Sequence, residues 1–259
     1  MFNSLADHCR QVLEAVRMPV AKLCFDTSLH PVDIRETHRR FTSPHPKYKL
    51  FGYKQLGVAL IDLRRLAEPA EPAEPPGHSD SASHPGHRGH SHHSHLDGSI
   101  VAPHSAASYV SKARRRGYAL APIDRNDHVD AIHAINNSLA DRQGRPMDAA
   151  YREKRHHFDR QPHYRYFGVF SKHGKLMAYC NVGRYGNFVT LSQLLGYRNN
   201  DGVMHMLVND VVSLMLTELR AGHGPEFVMY DTFFGARPGL RQFKTMLGFR
   251  PYRARYSLR

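Results

Sequence analysis

The 259-residue sequence is poor in cysteine and has no long apolar segment. Its three cysteines, Cys9, Cys24 and Cys180, show no CxxC spacing, which argues against a disulfide framework or a zinc knuckle. No window approaches the roughly 20 apolar residues of a membrane-spanning helix. The first residues also lack the basic start and apolar run of a secretory signal. We therefore expect a cytoplasmic protein without membrane insertion.

Acidic residues are also scarce relative to basic ones. Lysine and arginine number 36 and aspartate and glutamate 23, so the formal net charge is +13. Such a surface attracts polyanions, including nucleic acid, phosphorylated cofactors and anionic membranes. Hydrophobic residues make up 41% of the chain, which is enough for one large domain or for one domain and a smaller one.

Composition divides the chain into three predicted parts. Residues 1–66 form an N-terminal extension with a helix at 4–17 and a strand at 56–64, which could join the main sheet or build a small subdomain. Residues 67–103, rich first in Pro, Glu and Ala and then in His, have almost no apolar side chains and are predicted to be a disordered linker. Residues 104–259 carry the main domain.

The linker contains seven histidines between His78 and His95. Imidazoles at this density bind Ni, Zn or Cu weakly. A catalytic metal needs a fixed geometry that a flexible tract cannot hold. We therefore expect no resident metal ion, with weak metal buffering by the tract as a minor alternative.

From residue 118 onward, apolar periodicity predicts the order β-α-α-β-β-β-α-β-α-β. This order predicts an α/β (α+β) domain with a mixed central sheet flanked by helices. Residues 141–146 are expected to be a loop between the first two helices. The predicted helices are 126–140, 149–158, 201–219 and 238–247.

Two short segments within this order have a recognisable chemistry. The first, Arg-Asn-Asn-Asp-Gly-Val at 198–203, precedes the long helix, where unpaired amides and the positive helix end favour an anion. It could equally be an ordinary turn capped by Asp201. The second, Gly-Leu-Arg-Gln-Phe-Lys-Thr-Met-Leu-Gly-Phe at 239–249, is a helix bounded by Pro238 and Gly248.

The strand order and these segments resemble the GNAT acyltransferase superfamily over about residues 118–258. The resemblance implies a GNAT-like sheet and an acyl-transferring enzyme. Asp201 and Val203 stand where the family has Gly and Gly or Ala, so a donor other than coenzyme A stays open. The residues that the resemblance assigns to the pyrophosphate of coenzyme A are Arg198, Asn199, Asn200, Gly202 and Val203.

The 238–247 helix is also similar to that of the Fem-type aminoacyl transferases, which use aminoacyl-tRNA as donor. Where many GNAT proteins carry a proton-donating Tyr, this sequence has Lys244. The Fem-type resemblance implies that Lys244 stabilises charge near the reacting ester, although it could be a surface lysine. The basic segment 111–118 resembles a Fem-type helix as well, and it could meet phosphates or be a solvated face.

Acyl transfer to an amine needs a base, an oxyanion site and a proton donor. Asp231, at the end of the strand at 226–233, is the predicted base or else caps a turn. Its neighbour Tyr230 is the alternative proton donor. Backbone amides of the splayed fourth GNAT strand, around Gln193, Leu194 and Leu195, are expected to hold the oxyanion.

The acceptor site is expected near the first two helices, as in GNAT proteins. Arg142, Gln143 and Arg145 could hold a carboxylate or phosphate, with Tyr151 on the next helix. These residues could equally form a charged surface loop. Aromatic residues interleaved with lysines at 47–54 could contact a substrate or be core and rim.

We therefore predict an N-acyltransferase that moves an acyl or aminoacyl group from a thioester or aminoacyl-tRNA to an amine. The expected partners are an amine acceptor and tRNA. The alternative is a basic RNA-binding protein that has a GNAT-like fold without catalysis. A metal-handling protein built around the histidine tract is a third hypothesis.

Overall fold

The computed structural model describes residues 17–46, 52–68, 103–142, 145–234 and 236–259. Nearly all of the predicted N-terminal helix and linker lies outside these residues.

Strands and helices follow one another closely along the described chain. The strands are β1 Val20–Phe25, β2 Val58–Asp62, β3 Ala119–Pro122, β4 Asp141–Arg142, β5 Arg145–Pro146, β6 Tyr164–Phe170, β7 Leu176–Arg184, β8 Phe188–Gly196, β9 Phe227–Thr232 and β10 Arg250–Leu258. The helices are α1 Pro31–Thr42, α2 Arg64–Ala67, α3 His104–Arg115, α4 Val129–Asn136, α5 Ala149–Arg152, α6 Val203–Arg220 and α7 Pro238–Met246, with a 3₁₀ turn at Arg125–His128.

Eight strands form one sheet in the order β1-β10-β2-β9-β8-β7-β6-β3. The pairs β1–β10 and β8–β9 are parallel and the other neighbours are antiparallel. The predicted mixed sheet flanked by helices is confirmed. The strand predicted at 56–64 joins this sheet as β2, between β9 and β10.

The sheet separates hydrophobic clusters on its two faces. Successive β2 residues alternate between them, because neighbouring strand residues point to opposite faces: Ala59 and Ile61 belong to one cluster, Val58 and Leu60 to the other. The first cluster holds α6, whose apolar residues are buried by α3 on one side and by the sheet on the other. The second packs α1 against the aromatic residues of β1, β8 and β9.

Two local predictions around the acceptor region are wrong. The helix predicted at 149–158 ends at Arg152, because its polar sequence has little to bury and Asn126 holds the rest extended. The Asn126 side chain accepts from the Phe158 amide at 2.8 Å and donates to the Phe158 carbonyl at 3.1 Å. The 141–146 loop is a short hairpin in which β4 pairs with β5.

In the described part of the chain, no helix has the length and apolarity to cross a bilayer.

Candidate active site

The parallel strands β8 and β9 separate toward their C-terminal ends. They pair only where Phe188 to Thr190 meet Phe227 to Met229. Beyond this stretch each strand has a non-glycine residue with positive φ, Gln193 at +46° and Asp231 at +53°. Such conformations are uncommon and are concentrated at functional sites. We call this opening between the strand ends the gap.

A β-bulge borders the gap on β8. Asn181 of β7 pairs with Ser192 and Tyr179 pairs with Leu195, so Gln193 and Leu194 face a single β7 residue. A bulge interrupts the ladder and re-aims nearby groups. The backbone at 193–195, predicted to hold an oxyanion, therefore lies beside the gap.

Two side chains hold Gln193 in place. Asn181 donates from Nδ2 to Gln193 Oε1 at 2.8 Å, and the Tyr151 hydroxyl also hydrogen-bonds the Gln193 side chain. Burial raises the pKa of Tyr151. Asn181 is buried, and its Oδ1 has no hydrogen-bond partner in the described part of the chain, so it can accept a hydrogen bond from a bound molecule. Sequence reasoning missed Asn181, although an Asn in the apolar run of β7 was a signal.

Lys244 reaches the C-terminal end of β9 from α7. It is fully buried, so it is not the surface lysine of the alternative interpretation. Its Nζ donates to the Thr232 carbonyl at 2.7 Å and lies 4.5 Å from the centroid of the Tyr230 ring. Burial, and then the charge of Lys54, lower the pKa of Lys244 to about 7.

Lys54 brings a second ammonium to the same place. Its Nζ donates to the Asp231 carboxylate, which is itself exposed. Burial, and then the charge of Arg40, lower the pKa of Lys54 to about 8. The sequence marked the 47–54 segment as a possible substrate contact but gave no link to Asp231.

Tyr230 completes this group of side chains. Burial, followed by a charge effect of Cys180, raises its pKa to about 12, so its hydroxyl stays protonated at neutral pH. Its ring lies 5.8 Å from that of Phe249. We refer to the four residues at this end of the gap as the β9 cluster: Lys54, Tyr230, Asp231 and Lys244.

The turn at 198–203, before α6, is contacted by α3 and by the residues that follow it. Asp201 accepts from the Tyr118 hydroxyl at 2.8 Å and forms an ion pair with Arg116. Lys112 donates from Nζ to the Asn200 carbonyl at 2.7 Å. Asp201 is therefore neutralised within the chain.

The backbone of this turn is packed against α3. Gly202 has a φ of +83°, and a Cβ there would lie 2.1 Å from the Tyr109 carbonyl oxygen. Val203 is buried and Arg198 exposed. The Asn199 side chain accepts from the Asp201 amide at 3.1 Å, which closes the turn locally. The predicted anion-binding backbone is thus covered at Gly202 and Val203.

Only some of the residues predicted to bind the acceptor lie in the described part of the chain. Tyr151, on α5, reaches the gap through Gln193. Gln143 and the side chains of Arg142 and Arg145 lie outside the described part of the chain.

No protein-family profile and no curated protein matches the sequence. Solved structures that match include FemX, with 10% identity, TM-score 0.44 and coverage of 59% of this chain and 55% of that one. L-PGS from Bacillus licheniformis matches with 10% identity, TM-score 0.40 and coverage of 76% and 58%. A GCN5-related N-acetyltransferase from Kribbella flavida matches with 11% identity, TM-score 0.36 and coverage of 90% and 77%.

Two of these three structures are of the kinds that the sequence resembles: FemX is a Fem protein, and the Kribbella flavida structure is a GCN5-related N-acetyltransferase. The chain spans 55% of the length of FemX and 58% of L-PGS. The site described above rests on the strand order and contacts of this chain.

Proposed function

We propose that the chain is an acyltransferase that moves an aminoacyl or acyl group from an activated ester or thioester to an amine. The gap between β8 and β9 is its reacting site. The observation that supports this most directly is the β9 cluster, in which the buried Lys244 and the partly buried Lys54, both with lowered pKa values, flank a tyrosine and an exposed carboxylate. Perturbed groups of this kind, gathered at a strand end, are characteristic of catalytic sites.

The reaction requires one proton to leave the amine and one to reach the leaving group. The acceptor nitrogen attacks the donor carbonyl carbon, and its proton passes to the Asp231 carboxylate. The C–N bond forms as the bond to the leaving oxygen or sulfur breaks, and that atom takes the proton of the Tyr230 hydroxyl. Exchange through solvent then returns the proton from Asp231 to Tyr230.

Lys244 acts as a positioning residue in this scheme, because it is fully buried and contacts Tyr230 rather than solvent. Its hydrogen bond to the Thr232 carbonyl anchors the backbone next to Asp231. Its ammonium form adds positive potential where the oxyanion develops, an effect that is strong in a buried site.

The turn before α6 supports an aminoacyl-tRNA donor over coenzyme A. An anion bound to the amides of the turn would have to displace α3, since Gly202 and Val203 are buried beneath it. An aminoacyl ester presents its reacting carbonyl at the end of a large polyanion, and the net charge of +13 favours binding of such a molecule. A phosphate site in the covered turn is then unnecessary.

The donor is tested by measuring transfer to a panel of amines from aminoacyl-tRNA and, separately, from short acyl-coenzyme A thioesters. We expect transfer from aminoacyl-tRNA. Transfer from the thioesters alone would overturn the donor assignment. Absence of both transfer and donor binding would overturn the acyltransferase proposal.

The role of the β9 cluster is tested with Lys244→Met. We expect a lower rate and loss of the ionisation near pH 7 from the pH–rate profile, because Lys244 no longer titrates there. Lys172→Met, an exposed lysine on the β6–β7 turn, is the matched control and should leave both unchanged. An unaltered profile in Lys244→Met would remove Lys244 from the mechanism.

The alternative of an RNA-binding protein without catalysis has less support. Its sequence features were the net charge of +13 and the basic residues at 112–116. Lys112 and Arg116 are bound to the turn before α6, and Arg114 is paired with Asp210 at 2.9 Å. These cations are used within the chain, so they are poorly available to phosphates.

A further inference from the structure

Three potential metal ligands meet where the start of α1 lies against the residue that precedes β6. Asp33 lies in α1, His30 is the N-cap residue of that helix, and His163 lies much later in the sequence. One ligand atom from each lies within 4.8 Å of the others. His30 Nδ1 and Asp33 Oδ2 are 3.4 Å apart, and the rings of His30 and His163 are 5.1 Å apart. His30 Nδ1 also accepts a hydrogen bond from the Asp33 backbone amide at 3.3 Å, and an ion bound at that nitrogen would replace this contact.

His163 is the informative member of this group. It is only 6% exposed, and neither of its ring nitrogens has a hydrogen-bond partner among the residues that the structure describes. Buried polar atoms without partners are rare and call for an explanation such as a bound ion.

We propose that His30, Asp33 and His163 bind one Zn²⁺ ion. Two imidazoles and one carboxylate are ligands that suit Zn²⁺, and three protein ligands leave a fourth position for water. Ligand atoms around a tetrahedral Zn²⁺ lie about 3.3 Å apart, given bonds of about 2.0–2.1 Å. The His30–Asp33 separation matches this spacing, and the ligand atom of His163 lies within 4.8 Å of both, so binding of the ion would draw His163 closer.

The exposure of the three residues lets an ion enter from solvent and keeps one ligand fixed in place. His30 and Asp33 are about one third exposed, so an ion can enter from solvent, while His163 forms the buried wall. The rings of Tyr164 and Tyr185 flank His163 at 4.7 and 5.7 Å and restrict its motion. A bound ion would tie α1 to the start of β6 and thereby stabilise the folded chain.

The histidine tract at 78–95 is the main interference in a test, because it binds metals weakly. The experiment therefore uses the full chain with the seven tract histidines changed to Asn, which we call the tract variant. Bound Zn²⁺ is measured by competition with a coloured chelator. Co²⁺ is used as a second probe, because its visible absorption distinguishes four-coordinate from six-coordinate binding.

We expect the tract variant to bind one Zn²⁺ per chain, to melt at a higher temperature with Zn²⁺, and to give the strong absorption of four-coordinate Co²⁺. Adding Asp33→Asn or His163→Gln to the tract variant should weaken Zn²⁺ binding by more than about 100-fold. Loss of a residue that only supports a ligand weakens metal binding by up to about 100-fold, so a larger loss indicates a direct ligand. His157→Gln is the control, since His157 and Asp159 form an exposed pair at 3.9 Å.

Two results would overturn the proposal. One is a tract variant that binds no Zn²⁺, and the other is binding unchanged by Asp33→Asn. Circular dichroism of the metal-free variants checks that they fold. If His163→Gln does not fold, Asp33→Asn decides, because Asp33 is partly exposed and its replacement is isosteric.

Discussion

The turn before α6 and the buried Lys244 at the gap differ in whether a charged side chain has a counter-charge. At the turn, Asp201 is paired with Arg116, and nearby Asp210 is paired with Arg114. At the gap, Asp231 is likewise paired with Lys54, but the Lys244 ammonium is buried against a neutral carbonyl and an aromatic ring. Charges that serve the fold are neutralised by partners. Lys244 is instead held near its pKa at a cost in stability, as at catalytic sites.

The largest expected effect comes from removing a tyrosine hydroxyl at the gap, compared with removing one at the turn. Tyr230→Phe removes the proposed proton donor and should lower the rate of transfer by about 100-fold or more. Tyr118→Phe removes the hydrogen bond to Asp201 at the turn and should leave the rate unchanged. Both are measured as kcat/KM with aminoacyl-tRNA. Equal losses in the two variants would contradict the comparison.

The second effect concerns packing at the turn. Gly202→Ala places a Cβ against the Tyr109 carbonyl at a positive φ, so the free energy of unfolding should fall by at least about 3 kcal/mol. Gly174→Ala is a matched control, because its φ is +76° but nothing lies within 4 Å of the added Cβ. Gly174→Ala should lower the free energy of unfolding by about 1 kcal/mol. Urea unfolding of both variants measures the difference. Similar losses in the free energy of unfolding would show that α3 moves away from the added Cβ at little cost.

The third effect is the pH dependence of stability that Lys244 causes. Its pKa is about 7 in the folded chain against 10.5 as a free side chain. The penalty for burying the charge is fully present below pH 7 and is lost as pH rises toward 10.5. From pH 7 to 9 this should add about 2 kcal/mol to the free energy of unfolding. Lys244→Met should flatten the rise, and an equal rise in the variant would contradict this origin.

The smallest effect concerns the paired charges of the turn. Arg116→Ala removes the counter-charge of Asp201, but Arg116 is half exposed, so the cost should be about 1 kcal/mol. Added salt should reduce the difference from the unchanged chain. Arg115→Ala, the exposed neighbour, should stay within about 0.5 kcal/mol. A loss at Arg115 equal to that at Arg116 would show that the pair with Asp201 is not the cause.

Local sequence patterns predicted the meander and the long helix well. The strands β6 to β8 are joined at His173-Gly174 and Gly186-Asn187, dipeptides typical of hairpin turns, and these glycines have positive φ. Such features depend on neighbours in the sequence. The 149–158 helix was predicted wrongly because Asn126, distant in sequence, holds Phe158 in an extended segment.

The candidate site was predicted in part for the same reason. Tyr230, Asp231 and Lys244 lie in or next to segments with recognisable patterns, and their roles remain predictions. Lys54 and Asn181 reach the gap only through the folded sheet: β2 enters between β9 and β10, and the bulge in β8 faces β7. No local pattern records such pairings.

The sequence by itself determined the class of fold, because apolar periodicity and turn residues specify strands and helices over short distances. It also determined the basic character of the surface. The tertiary structure alone decided that Asp201 is paired, that Lys244 is buried, and that His30 and Asp33 meet His163. These properties depend on contacts between distant segments, and burial and charge pairing arise only when those segments pack together.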